Sequence, residues 1–220
     1  MKISYNWLKD YCKHDLSVEE LAESLTNAGL VVDTVSPVED DFCLEVEVTS
    51  NRPDCLGFIG VAREVAAIVR GTLDIPDVDY GTTDENINDI TSVAIEDNEL
   101  CRRYTARIIK DVKIGQSPGW LQKKISSIGL RPVNNIVDIT NYVLMESGQP
   151  LHAFDSDKLS ESRVVVRRAK KEETMEAIDG SKCMLTDDML VIADSQRPVA
   201  IAGIMGGKET EVSDTTKNIL

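Results

Sequence analysis

Apolar and polar positions along this chain follow two periods, and the switches between them mark its parts. In "SVEELAESLTNAGL", Leu21, Ala22, Leu25 and Ala28 share one side of a 3.6-residue repeat, which predicts a helix. Ser17 and Glu20, three residues apart, carry the signature of a capping box at its start, and Gly29 stops it. "LVVDTVSPV" then reads as a strand. In "FCLEVEVTS", Leu44, Val46 and Val48 alternate with Glu45, Glu47 and Thr49, the pattern of a strand with one wet face. "NRPDCLG" breaks the alternation. Helical spacing returns in "FIGVAREVAAIVRG", with Phe58, Val61, Ala62, Val65 and Ile68 inward and Gly71 as the stop. Residues 1–72 read as a small α+β module.

Residues 73–98 are acidic and turn-rich, with one strand-like stretch at Val93–Ile95, and read as a linker. A second module spans 99–220. It opens on "RRYTARIIKDV", where Tyr104, Ala106 and Ile108 alternate as in a strand. "SPGWLQKKISSIGL" predicts a helix with Ser117 as N-cap and Pro118 at the first helical position. "NIVDITNYVLMESG" predicts another, its Val137, Val143 and Leu144 packed inward. Four short strands follow in "RVVVRRA", "TMEAI", "KCMLT" and "MLVIAD", and Asp179-Gly180 between the middle two predicts a hairpin. "PVAIAGIMGG" reads as a buried strand running into a glycine loop. The fold class is α+β, a small N-terminal αβ module followed by a mixed α/β domain.

Composition narrows the function classes. No apolar run approaches the roughly 18 residues of a membrane span, and the start has no continuous apolar stretch of a signal peptide. The five cysteines (Cys12, Cys43, Cys55, Cys101, Cys183) include no C-x-x-C pair, and with only two histidines no metal-ligand spacing appears. Unpaired thiols of this kind suit a cytoplasmic protein. The net charge of −14 argues against a general nucleic-acid binder, but it is unevenly spread. Residues 101–171 hold 14 of the 24 Lys and Arg and 6 of the 38 Asp and Glu, so this segment is net basic within an acidic chain. Such asymmetry fits either a basic face for an anionic partner or a solvated surface.

Few residues stand out chemically. His152 lies in "ESGQPLHAFD", where a helix gives way to a loop, and fits a turn cap or a contact with ligand or water. Gly203 and Gly206 in "AGIMGG" permit tight strand packing or the close approach of backbone to a ligand. The stretch lacks the residues of a P-loop and the G-x-G-x-x-G spacing. Asn141, eleven positions before His152, serves a local turn bond or a cavity wall. Arg131 in "GLRPV" serves a surface or a bidentate grip on phosphate or carboxylate.

Taken together, longer stretches carry a resemblance. "KISYNWLKDY", "LAESLTNAGLVVDTV" and "VTSNRPDCLGFIGVAREVAA" resemble the N-terminal end of the bacterial phenylalanyl-tRNA synthetase β chain. "IVDITNYVLMESGQPLHAFD", "DDMLVIAD" and "AIAGIMGG" resemble its editing domain. The resemblance implies tRNA(Phe) and a synthetase α chain as partners in an (αβ)2 heterotetramer. It implies ATP and magnesium for the complete ligase, with the synthetic site on the α chain and no cofactor on this one. It also implies hydrolysis of tyrosine wrongly esterified to tRNA(Phe). His152 and Asn141 would then be catalytic, and Arg131, Gly203 and Gly206 substrate-binding, with no metal.

Two departures qualify this. Only "EDDF" lies between the segments like "VDTVSPV" and "CLEVEV", where most bacterial members carry an OB-fold tRNA-binding insert. The acidic residue that reads the tyrosine hydroxyl in the family would follow "TTKNIL", so the editing domain is expected to be truncated and weak or inactive. Two alternatives stay open: a stand-alone trans-editing deacylase, and a non-catalytic RNA- or protein-binding module of the same fold.

Overall fold

The computed structural model describes all residues, Met1–Leu220, and forms two compact units. The first comprises Met1–Tyr80 and Gln116–Leu151, and the second Gly81–Gly115 and His152–Leu220. This division differs from one into 1–72, 73–98 and 99–220. The helices after residue 116 fold with the N-terminal strands, and the tail of the expected linker enters the second unit.

In the first unit, β1 (Lys2–Ser4), β2 (Val32–Val38) and β3 (Asp41–Val46) make an antiparallel sheet with β3 in the centre. A short helix α1 (Tyr5–Leu8) follows β1 directly. The buried Asp41 carboxylate ties it to the sheet, accepting from the Ser4 hydroxyl at 2.5 Å and the Asn6 amide at 2.9 Å. Helix α2 (Val18–Asn27) has the expected capping box at Ser17 and Glu20, and Val18, Leu21 and Leu25 are buried. Helix α3 (Phe58–Val69) buries Phe58, Val61, Ala62 and Val65 as the periodicity requires. It ends on Arg70 in the left-handed region, one residue before Gly71.

Helices α4 (Gly119–Ser127) and α5 (Asn135–Ser147) complete this unit. Ser117 does not cap α4. Its hydroxyl donates to the buried Asp138 at 2.5 Å, and the Val133 amide donates to the same carboxylate at 2.9 Å. Asp138 thereby joins the loops ahead of α4 and α5, outcompeting a local cap because a buried carboxylate must be satisfied. The core centres on Trp7, stacked between Phe58 at 4.0 Å and Tyr142 of α5 at 4.9 Å. The Trp7 indole donates to the Tyr11 hydroxyl at 2.9 Å, which donates to Glu146 at 2.7 Å. Burial, with bonds to Tyr142 and Glu146, pushes the Tyr11 phenol far above its ordinary pKa.

The second unit is built on a five-stranded sheet. In spatial order it runs β10 (Met205–Gly206), β9 (Pro198–Ile201), β8 (Leu190–Ala193), β5 (Arg163–Arg168) and β4 (Ser92–Ile95). Only β4 and β5 pair in parallel. β6 (Thr174–Glu176) and β7 (Lys182–Met184) form the hairpin around Asp179-Gly180, with Gly180 at φ +82°. Val164, Val166, Ile192 and Val199 are buried with Phe154 on one side, and Ala169, Met175, Val191 and Ala193 in a second cluster.

Two expectations change here. "RRYTARIIKDV" is not a strand: it makes a single bridge, Ile109 to Ile219, and turns at Asp111, which is left-handed at φ +56°. Alternation half-buries Tyr104 without supplying a partner for the ladder, and a strand needs the partner. "PVAIAGIMGG" is not one strand running into a loop but a hairpin, β9 turning into β10 through Gly203 at φ +72°. Its carbonyls and amides are thereby paired within the sheet.

Candidate functional site

Of the five residues expected at a site, His152, Gly203 and Gly206 belong to the second unit, and Arg131 and Asn141 to the first. Arg131 is exposed in the loop between α4 and α5, and Asn141 is half-buried on α5. The structure brings His152 and Gly206 together. A methyl group on Gly206 would overlap the His152 ring at Cε1, and would lie 2.9 Å from its Nε2 and 2.8 Å from Ile178 Cδ1. Any side chain at 206 would force His152 and Ile178 to shift, so glycine permits this close approach. At Gly203 the need is different: nothing lies within 4 Å of an added methyl, and the positive φ of the turn explains the residue.

The segment carrying His152 is firmly held beyond the ring. Phe154 is buried and exchanges two backbone bonds with Leu220, at 2.9 and 3.0 Å. The buried Asp155 carboxylate accepts from the Thr216 hydroxyl at 2.7 Å. The His152 ring stands edge-on to Phe154, with centroids 4.4 Å apart. The residue keeps an accessible surface, yet loss of water around the ring pushes its pKa below the ordinary histidine value. The shift favours the neutral imidazole, which can accept from a water or hydroxyl with one nitrogen and donate with the other.

On the Gly206 side, the Gly206 carbonyl accepts from the Ile178 amide at 3.0 Å, so β10 and the end of β6 form one surface. The sequence carried no sign of Ile178 beyond its place just before the Asp179-Gly180 turn. A cavity of about 430 Å³ lies elsewhere, lined by Met175, Cys183, Arg197, Val199, Gly207 and Thr210. Successive strand residues face opposite ways. A methyl on Gly207 would meet Val199 and Met175, and neither His152 nor Gly206 lines this cavity.

One cluster has ligand atoms at metal-like spacing, with Asp54, Cys55 and Glu64 offering atoms within 4.8 Å of one another. A cation already stands among them. Arg52 Nη2 lies 2.8 Å from Asp54, 2.8 Å from Glu64 and 3.1 Å from Cys55 Sγ. Its hydrogen bonds hold the Asp54 carboxyl well below the usual range, while burial pushes the Cys55 thiol up to about 11. The group is an arginine-centred ion network, and its thiol stays protonated and unreactive at neutral pH.

Residues 100–220 match the B3/4 domain, more than half of the chain, and the chain belongs to that family. Over all 220 residues it is 46% identical to a phenylalanine–tRNA ligase β subunit of Rhodopirellula baltica, covering 32% of that protein. It is 49% identical over 180 residues, 82% of the chain, to the β subunit of Carboxydothermus hydrogenoformans, covering 22% of it. The chain thus spans between about a fifth and a third of these relatives. It also matches the crystal structure of an N-terminal fragment of the phenylalanyl-tRNA synthetase β subunit from Pyrococcus horikoshii. That match has a TM-score of 0.53 and 16% identity, and covers 100% of this chain and 66% of the other. At that identity the likeness speaks for the fold.

Proposed function

We propose that this chain is the editing part of a phenylalanine–tRNA ligase β subunit and hydrolyses tyrosine wrongly esterified to tRNA(Phe). The observation that carries the reading is the His152 ring held against the bare backbone of Gly206. The relatives named above and the B3/4 match support it. An aminoacyl ester is activated, so its hydrolysis needs a positioned water and donors for the developing oxyanion rather than a strong nucleophile. His152 can orient such a water or the terminal ribose hydroxyl. Gly206 lets the His152 ring lie against main chain, where a side chain would displace it. Asn141 as a second catalytic group, Arg131 as a contact to the RNA 3′ end, Gly203 as a backbone contact and 99–220 as the editing-type domain belong to the same reading.

In the assembled ligase the partners are an α chain and tRNA(Phe), and the α chain uses ATP and magnesium. The test is deacylation of Tyr-tRNA(Phe) by the ligase carrying this sequence, before and after His152→Ala. The expected result is a fall of about 100-fold or more, the usual contribution of a positioned acid–base group. Unchanged hydrolysis would remove His152 from the chemistry. The same assay on these 220 residues alone separates a free-standing deacylase from a part that works only in the larger enzyme.

A further inference from the structure

The cavity of about 430 Å³ in the second unit lies between the β6–β7 hairpin, β9 and the turn Lys208–Thr210. Its floor is buried: Met175, Val199 and Gly207, with Thr210 only 1% exposed. Two polar groups of its lining lack partners. The Thr210 hydroxyl is buried and makes no hydrogen bond. Nor does Arg197 Nε, which stands 3.7 Å from the Asp194 carboxylate, too far for one. Buried donors without acceptors are rare and costly, so two in the wall of one cavity point to a ligand. We propose that this cavity binds a free α-amino acid with an apolar side chain, at a site separate from the His152–Gly206 edge.

The charges of the lining select the ligand class. Glu176 and Glu209 face Lys182 and Arg197 around the cavity, two acids against two bases, and Arg197 Nη1 pairs with Glu209. A net anion would meet two carboxylates and a net cation two bases, whereas a zwitterion meets an opposite charge at each end. Its carboxylate would accept from the Thr210 hydroxyl and Arg197 Nε, the two donors left unpaired. Its ammonium would donate to Glu209 or Glu176, which are both exposed. An apolar side chain would then lie on Met175 and Val199. Gly207 keeps that floor in place: a methyl there would stand 2.7 Å from the Val199 carbonyl and 3.3 Å from the Met175 sulfur. Met184, 73% exposed in the lining, is a flexible apolar chain able to cover the ligand. The volume is in the range of small-molecule sites.

The experiment follows the amide NMR signals of Cys183 and Val199 as L-leucine, L-methionine or L-phenylalanine is added to the 220-residue chain. At least one should bind, and its amide and its N-acetyl derivative, each lacking one charge, should bind about ten-fold more weakly. Thr210→Val should weaken the amino acid by about ten-fold and leave the urea midpoint of the second unit unchanged or higher, since it removes a hydroxyl without a partner. Thr210→Ser, which keeps the hydroxyl, should bind as the native chain does. If Thr210→Val fails to fold, Arg197→Lys, which keeps the charge beside Glu209 and removes the Nε donor, carries the same expectation for binding. Absence of binding by all three amino acids at millimolar concentration overturns the proposal, as does binding that these variants leave unchanged. Weaker binding together with a lower urea midpoint would make the hydroxyl structural and overturn it too. Binding lost in His152→Ala but kept in Thr210→Val would place the ligand at the other site, with the same result.

Discussion

Replacing Gly206 by alanine tests the central geometric claim. The new methyl would lie 2.9 Å from His152 Nε2 and 2.8 Å from Ile178 Cδ1. Apolar atoms prefer about 3.5–4.0 Å, so both side chains must retreat by most of an ångström. Overpacking of this kind costs about 1–3 kcal/mol. The stiffer unfolded chain returns about 0.4–1 kcal/mol. The expected net loss for the second unit is about 1–2 kcal/mol. Both tryptophans, Trp7 and Trp120, lie in the first unit, so their fluorescence would miss it. Urea unfolding should be followed instead through the amide NMR signals of Val191 and Ala200, which sit in the sheet beside Gly206. In a His152→Ala background one of the two clashes is gone, and the cost of Gly206→Ala should fall by at least about 0.5 kcal/mol, the threshold of measurable coupling. Gly203→Ala is the control: its cost, about 1–2 kcal/mol from the left-handed backbone alone, should not depend on His152. Equal costs for Gly206→Ala in both backgrounds, or a more stable single variant, would refute the close approach.

Three further outcomes follow from the packing and charges. Trp7→Ala empties the stack between Phe58 and Tyr142 and should cost the first unit about 3–5 kcal/mol, read by urea unfolding monitored at Trp120. Asp194 is buried; burial raises its pKa, but amides of Gln196 at 2.8 Å, Arg197 at 2.8 Å and Ser160 at 3.1 Å outweigh this and hold it below the usual value. Its stabilisation is present above the unfolded aspartate pKa and lost as pH falls through the depressed folded one, so Asp194→Asn should flatten the acid limb of a stability–pH curve. His152 is depressed by desolvation, so its imidazole signals should titrate below an unfolded-peptide reference, and acidification below the ordinary histidine pKa should cost the folded state. A titration at or above the reference would contradict the crowding seen around the ring.

What the sequence made legible was local. The α2 capping box and the Asp179-Gly180 hairpin rest on residues within a few positions of one another, where side-chain chemistry leaves one inexpensive conformation. The two helices were legible, but not their faces: Val137, Val143 and Leu144, expected inward on α5, are half-buried, whereas Ile136 and Asp138 are buried. No pattern shows that Tyr142 closes the stack on Trp7. Ser117 went to Asp138, twenty-one residues away, because a buried carboxylate outbids a local cap, and no pattern in "SPGW" carries that. At the site, glycine is ambiguous in sequence: Gly203 serves a turn and Gly206 a close approach, and only the position of the His152 ring separates them.

The stacking of Tyr142 on Trp7 has a consequence for how the chain is made. The first unit needs residues from both ends of the stretch 1–151, and the intervening 81–115 belongs to the other unit. During synthesis, the N-terminal eighty or so residues emerge with Trp7 covered on one side only, and their apolar surface must wait for α5 to leave the ribosome. The segment 81–115 waits longer still, since β4 has no neighbour until β5 is made. Neither unit can be finished before the other has begun. Cutting the chain at the start of the B3/4 match would leave α4 and α5 without the aromatic core they complete, so a soluble excised piece is better bounded by packing than by family.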